Sequence, residues 1–447
     1  MSVATALADE AIAILGGMKL EAEVYFEDSA VTSVTVAGGK VESIEMKEEL
    51  GAGIRVFDAG RVGFAHTSDL TSQGIRAAAS AARAFAAHTD PETVNRVPTI
   101  EPTSLPEPET GDLALGKIEV YRKTAIARAM EEAARAVDPR ITRVRQARYT
   151  DVVGRVEIRS SSGLTRGASF ARIYASIELH AEESGQSQSG YANDFSLKFS
   201  GLDPFKVGRE AARRAIAKLG GARATTQRAD VVFDPEVTGS LLEAFSPALS
   251  ADNVLKGKSA LAGKIGQKIG AAAVDLVDDG RFPGGNRTFP FDAEGNATRR
   301  SVLIEGGTLR GYLHNAYTAA KSSSPATGNA FRSSYMGPPR ISPNMIYLVP
   351  SAASREEILS RVGAGFYITE VMGLHTVDPI TGEFSLGVFG HAIVRGEIAN
   401  PVTGIGFAGT IGEFLGNVEA VGSDLRLLPS GCAGSTLLVR NLSISGN

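Results

Sequence analysis

Six histidines (His66, His88, His180, His314, His375 and His391) and one cysteine, Cys432, are the strongest metal-ligand types in this 447-residue chain. A zinc site needs several imidazoles, thiolates or carboxylates on one face, and histidines one helical turn apart supply them most directly. No two of these histidines lie closer than sixteen residues, so no such pair exists. His180-Ala181-Glu182 has the H-x-E spacing of zinc deaminases, but the matching P-C-x-x-C half needs a second cysteine. His314, His375 and His391 share the C-terminal half, where only the tertiary fold could gather them, with Glu370 or Asp378 assisting a metal. Cys432 lies among Gly431, Ala433 and Gly434 with no adjacent cation, the setting of a small buried residue rather than an activated thiolate.

Other chemistries are excluded on similar grounds. Gly257-Lys258-Ser259 ends like a phosphate-binding loop, but Asp252 stands where the upstream glycine belongs and would repel phosphate. Gly404-Ile405-Gly406-Phe407-Ala408-Gly409 fits G-x-G-x-x-G, yet Pro401 interrupts its approach, so a Gly-rich turn entering a short helix is expected. No serine sits in G-x-S-x-G. Arg140, Arg143, Arg145 and Arg148 fall on an alternating stretch and point to both faces, which is a solvated surface rather than a nucleic-acid patch. Net charge is -4, which draws the chain toward neither nucleic acid nor an anionic membrane. No apolar run approaches the ~18 residues of a membrane span. Asp9 and Glu10 with no basic n-region argue against a secretory signal, and one cysteine permits no internal disulfide, so a cytoplasmic protein is expected.

The elements that must position these residues follow from periodicity. Composition, 43% hydrophobic and 21% charged with 50 glycines, suits a turn-rich globular chain of two or three domains. Leu7, Ala8, Ala11, Ile12 and Leu15 share a helix face closed by Gly16-Gly17, and Ala22, Val24 and Phe26 alternate as a strand does. Turns at Gly38-Gly39 and Gly60 imply hairpins. Ser72 is expected to cap a helix burying Ile75, Ala78, Ala79, Ala82 and Phe85. Pro91, Pro98, Pro102, Pro106 and Pro108 mark a linker over about 91–110, and a helix is expected over 117–137. Strands are expected over 142–158 and 165–182, with a loop at 186–189. Asp203-Pro204 opens a helix in N-cap/N1 fashion. The main boundary is placed near 222, giving an N-terminal domain 1–222 and a C-terminal domain 223–447. In the latter, helices start at Asp234-Pro235 and at the capping box Ser354–Glu357, and a hairpin across Gly306-Gly307 sets Val302 and Ile304 against Leu309 and Leu313. The expected class is α+β: an N-terminal mixed α/β domain with antiparallel sheets and a C-terminal β-rich, barrel-like domain.

One set of segments is specific. Asp278 to Gly285, Pro290-Phe291-Asp292-Ala293-Glu294-Gly295, Thr327 to Arg332, Pro339 to Asn344, Thr369 to Gly373 and Val421 to Leu425 resemble the TldD/PmbA family. Gly53 to Phe57 and Ser68-Asp69-Leu70 extend the resemblance into the N-terminal half. It implies a two-subunit cytosolic metallopeptidase acting on unfolded peptides, labelled in part as a modulator of DNA gyrase. In one subunit type an H-E-x-x-x-H helix and a later cysteine hold zinc, and the glutamate acts as base. The matching helix here, Leu241 to Ala248, contains no histidine, and Pro247 distorts the ligand spacing.

The resemblance is therefore to the PmbA (TldE-like) subunit: no cofactor bound by this chain, zinc in a TldD-like partner, and a homodimer as an open alternative in isolation. For contact with an unfolded peptide it points to Arg281, Asn286, Arg287, His314, Asn315, Tyr317, Asn329, Arg332, Glu370, Met372 and His375. Alternatives are a self-sufficient hydrolase built on the C-terminal histidines, or a protein-binding gyrase modulator.

Overall fold

A computed structural model describes residues 3–98 and 106–446 of the chain. Pro102 and the middle of the expected linker lie outside the described residues. The N-terminal half is built on one six-stranded antiparallel sheet in the order β3-β2-β1-β4-β5-β6. Its strands are β1 (Glu21–Ala37), β2 (Lys40–Asp58), β3 (Arg61–Thr67), β4 (Ile141–Ser160), β5 (Thr165–Glu183) and β6 (Gln186–Ser196). Tight hairpins close at Gly38-Gly39, Ala59-Gly60 and Ser184-Gly185, all six residues having positive φ, which matches the twist of the strands they join.

Period-2 patterning gives the sheet two unlike faces. Even-numbered Ala22, Val24, Phe26, Val34 and Val36 of β1 are fully buried beneath helices. One pair, α1 (Val3–Gly17) and α2 (Ser72–Ala86), covers one end; α3 (Val120–Arg135) and α4 (Pro204–Ala217) cover the other. The odd-numbered Tyr25, Glu27 and Val31 face the C-terminal half instead.

In the C-terminal half, β7 (Ala222–Arg223) and β8 (Gln227–Phe233) lead into α5 (Pro235–Phe245) and α6 (Ala251–Leu255). A small sheet combines β9 (Leu276–Asp279), β10 (Arg300–Glu305), β11 (Thr308–Leu309) and β14 (Ile346–Leu348); α7 (Ala316–Lys321) and a separate strand pair, β12 (Ala330–Phe331) and β13 (Arg340–Ile341), lie between β11 and β14 in the chain. Then come α8 (Arg355–Ser360), β15 (Ala364–Met372), β16 (Glu383–Val394), β17 (Glu397–Thr410), α9 (Ile411–Gly416), β18 (Val418–Val421), β19 (Arg426–Leu427), β20 (Ala433–Gly434) and β21 (Leu437–Gly446). β21 pairs with both β8 and β17, which closes β21-β8-β15-β16-β17 into a five-stranded barrel. Its interior is aromatic: Phe384 lies 5.1 Å from Phe407, and Phe233 5.6 Å from Phe414. The α+β class with antiparallel sheets and a C-terminal barrel is the architecture observed.

Several local expectations need correction. Residues 186–189 are not a loop but the start of β6, polar because the strand is a sheet edge. Gly404 to Gly409 lies within β17, where Gly406 lets the barrel strands approach: a Cβ there would sit 3.0 Å from the Leu386 carbonyl. Thr71, not Ser72, caps α2, because its hydroxyl accepts from the Gly74 N–H, and Phe85, expected on the buried face, is exposed in the last turn. The helix expected over 117–137 begins only at Val120, after a 3-10 turn at Leu113–Lys117. In the Gly306-Gly307 hairpin Ile304 does face Leu309, but Leu313 pairs with Ser250 instead.

Candidate functional site

Asp234 caps α5 through the Glu236 N–H, and Pro235 fixes its first turn. The helix ends at Phe245 and tightens into a 3-10 turn over Ser246–Leu249, because Pro247 has no N–H to continue the α ladder. Glu243, one turn from the end, faces a cleft of about 530 Å³ lined also by Pro247, Asp252, Asn315, Arg340 and Ser342. At its base, fully buried Cys432 donates its thiol to Glu243 Oε2 at 3.8 Å and lies 3.0 Å from Ser430 Oγ. Burial, and then the Glu243 carboxylate, push this thiol up to about 12, so it stays protonated at neutral pH.

A second hollow, about 480 Å³, lies between the helix-free face of the N-terminal sheet and the loops at 286–293 and 330–333. Arg287 separates the two: it lines this cavity, while its Nη1 donates to Ser342 Oγ (2.9 Å) and the Pro343 carbonyl (3.2 Å) at the cleft wall. Beside the cavity the halves meet through buried charges. Arg55 binds Glu23 at 2.6 Å and Glu294 at 2.7 Å, and Arg332 binds Glu23 at 2.8 Å. Two cations and two anions balance there, and removing any one leaves an uncompensated buried charge.

The expected contact residues divide by position. Asn286, Arg287 and Arg332 line the sheet-floored cavity, Asn315 lines the cleft, and Asn315 and Tyr317 border an adjoining hollow of about 730 Å³. Asn315 also caps α7, and the Tyr317 hydroxyl donates to Glu92 at 3.0 Å. His314 is buried with Nδ1 3.2 Å from Thr318 Oγ1, and burial holds its ring below the usual histidine value. Asn329 is fully buried and donates to Asp278 at 2.7 Å, fixing loops rather than facing a hollow.

Arg281 sits in the turn after β9, its N–H donating to Asp279 at 2.9 Å. Glu370 is ion-paired with Lys218, while Met372 and His375 are exposed near the end of β15. Among the described residues no three His, Cys, Asp or Glu side chains converge as metal ligands, so His314, His375 and His391 are not gathered with Glu370 or Asp378. The chain reading missed the Glu243–Cys432 contact, which joins residues 189 positions apart and leaves no local signal. It also missed Arg172, whose place on an alternating strand looks solvated but whose side chain is buried at the cavity wall.

Comparison with known proteins decides the family. Three consecutive family models match: PmbA/TldA metallopeptidase domain 1 over residues 22–86, the central domain over 114–219 and the C-terminal domain over 226–446. The chain belongs to the PmbA/TldD metallopeptidase family. It is 28% identical over 432 residues to the metalloprotease PmbA of Escherichia coli O157:H7, covering 96% of this chain and 93% of that one. A Thermotoga maritima structure, named as a candidate modulator of a DNA gyrase, superposes with TM-score 0.90 at 27% identity, covering 98% of this chain and 99% of that one. TldE from Thermococcus kodakarensis shares the fold, with TM-score 0.89 at 21% identity over 98% of this chain and 100% of that one.

The PmbA/TldD name implies a metal, and the donors at α5 do not fit one. Cys432, in the final Gly-rich turn and not matched to the family's ligand cysteine, lies beside that helix. Among the described residues the only acidic or basic side chain bonded to it is Glu243, and no third His, Cys, Asp or Glu converges on the pair. Zinc takes three or four protein ligands, more than this pair provides.

Proposed function

We propose that this chain is the non-catalytic, PmbA/TldE-like subunit of a two-component metallopeptidase, pairing in the cytoplasm with a TldD-like subunit that carries the zinc, and helping to hold unfolded peptides. One observation carries the reading. The helix that the family resemblance assigns to metal binding ends in a proline-tightened turn and presents a single carboxylate bonded to a neutral thiol. No third metal ligand converges on the pair among the described residues, so it lacks the bound cation that lets an attacking water ionise near neutral pH. The clefts on either side of Arg287 remain open to a peptide.

The test is co-expression with the zinc-bearing relative from the same genome, followed by cleavage assays on unfolded peptides. Neither protein alone should cleave, and the mixture should. His375→Ala in this chain should lower turnover by the mixture while leaving its zinc content unchanged. Stoichiometric zinc and peptidase activity in this chain purified alone would overturn the assignment.

A further inference from the structure

The sheet-floored cavity has a polarity of its own. Strand register arranges its floor in rows: Arg172 opposite Val152 opposite Val31, then Phe170–Gly154–Ser29, then Val156 opposite Glu27. With strands ~4.8 Å apart and ~3.4 Å per residue, the Cα atoms of Arg172 and Glu27 lie about 17 Å apart across the diagonal. At the Arg172 end the charge is positive and unbalanced. Arg172, 5% exposed, donates to the carbonyls of Asn286 (2.6 Å), Ala171 (2.8 Å), Thr288 (3.0 Å) and Thr110. These four bonds leave one of the five guanidinium N–H groups over, and among the described residues no carboxylate pairs with it. Among the described residues Arg287, beyond Asn286, has as partners only oxygen acceptors of neutral groups and the Phe331 ring at 4.8 Å.

The opposite end is negative. Glu27 is buried and accepts a single N–H, that of Tyr335, at 2.9 Å. The cavity's other charges are accounted for: Glu49 pairs with Lys47, Arg332 with Glu23, and Asp292 accepts the N–H groups of Glu294, Asn296 and Ala330. Between the ends lie Val152, Val156 and the edge-to-face rings of Phe170 and Phe289, 6.3 Å apart.

We propose that this cavity binds a short zwitterionic peptide of about three residues. Its C-terminal carboxylate lies between Arg172 and Arg287, its ammonium at Glu27, and an apolar or aromatic side chain on Phe170 and Phe289. Three extended residues span ~10 Å, and with a charge-assisted hydrogen bond of ~2.8 Å at each end they are commensurate with side chains rooted about 17 Å apart. A volume of about 480 Å³ is in the range of small-ligand sites. The inference deepens the peptide-handling reading and rests on it only for choosing a peptide among zwitterions. Binding by this chain alone tests the cavity, whereas turnover by the two-subunit mixture tests that reading.

The experiment is isothermal titration of the full chain with Ala-Phe-Ala, its C-terminal amide and its N-acetyl form. The unmodified tripeptide should bind, and either modification should weaken it at least ~10-fold. Val152→Trp and Ser29→Phe each fill the floor by a different route and should abolish binding. Glu27→Gln should remove the penalty for acetylation and keep that for amidation. The proposal is overturned if the folded chain binds no tripeptide, if amidation is without effect, or if both filling variants bind as the parent does. Equal binding of the acetylated form overturns it as well, because the cavity would then take the end of a longer chain.

Discussion

The cleft at α5 and the cavity on the sheet are neighbours with Arg287 as their common wall, yet they handle charge in opposite ways. In the cleft a carboxylate and a thiol satisfy each other, and burial keeps the thiol protonated. On the sheet side, guanidinium groups and Glu27 keep their charges without local partners, next to a fully paired seam of four more. At the helix of the family's metal position, the two candidate donors are thus engaged with each other. Recognition of charge requires groups that stay ionised with no counter-ion beside them, and among the described residues those lie in the sheet-floored cavity.

The largest effect is expected where the sheet side is most demanding. Arg55→Ala leaves Glu23 and Glu294 buried without their shared cation and should cost about 3–5 kcal/mol in urea unfolding. A loss under about 1 kcal/mol would mean that the seam does not hold the two halves together.

A smaller, pH-dependent effect separates Glu27 from that seam. Burial pushes its carboxyl from 4.5 up to about 6, so folding favours the protonated form. Its contribution is fully present below pH 4.5 and is lost as pH rises through 6. Relative to Glu27→Gln, the parent should lose on the order of 2 kcal/mol between pH 4 and 7.5. Parallel pH profiles for the two proteins would show that Glu27 is solvated after all.

The smallest perturbation concerns the cleft. Iodoacetamide should leave Cys432 unmodified in the native protein and label it fully in denaturant, and Cys432→Ala should cost only about 1 kcal/mol. Rapid native alkylation would contradict a buried neutral thiol and bring the cleft closer in character to the cavity.

Local patterning made much of the fold legible. The Asp203-Pro204 and Asp234-Pro235 starts, the Ser354–Glu357 capping box and the Gly38-Gly39 hairpin each involve residues within a few positions of one another, and each is present. Failures arose where a distant partner decides the outcome. Gly404 to Gly409 looks like a turn until β16 is laid beside it, and polar 186–189 looks like a loop until β5 pairs with it. The sites were less legible for the same reason. Asn286 and Arg287 could be picked from their segment, but the charge balance that gives them meaning depends on Arg172, Glu27 and the sheet register. His314 and Asn329 look available in the chain and are consumed by packing.

The double pairing of β21 has a kinetic consequence. β8 must wait for a neighbour about two hundred residues further along, so the growing polypeptide leaves the ribosome with two unsatisfied strand edges on the half-made cylinder. Such long-range closure is slow and leaves those edges open to association during synthesis, which makes the interval before the last strand emerges the period when this protein most needs a chaperone.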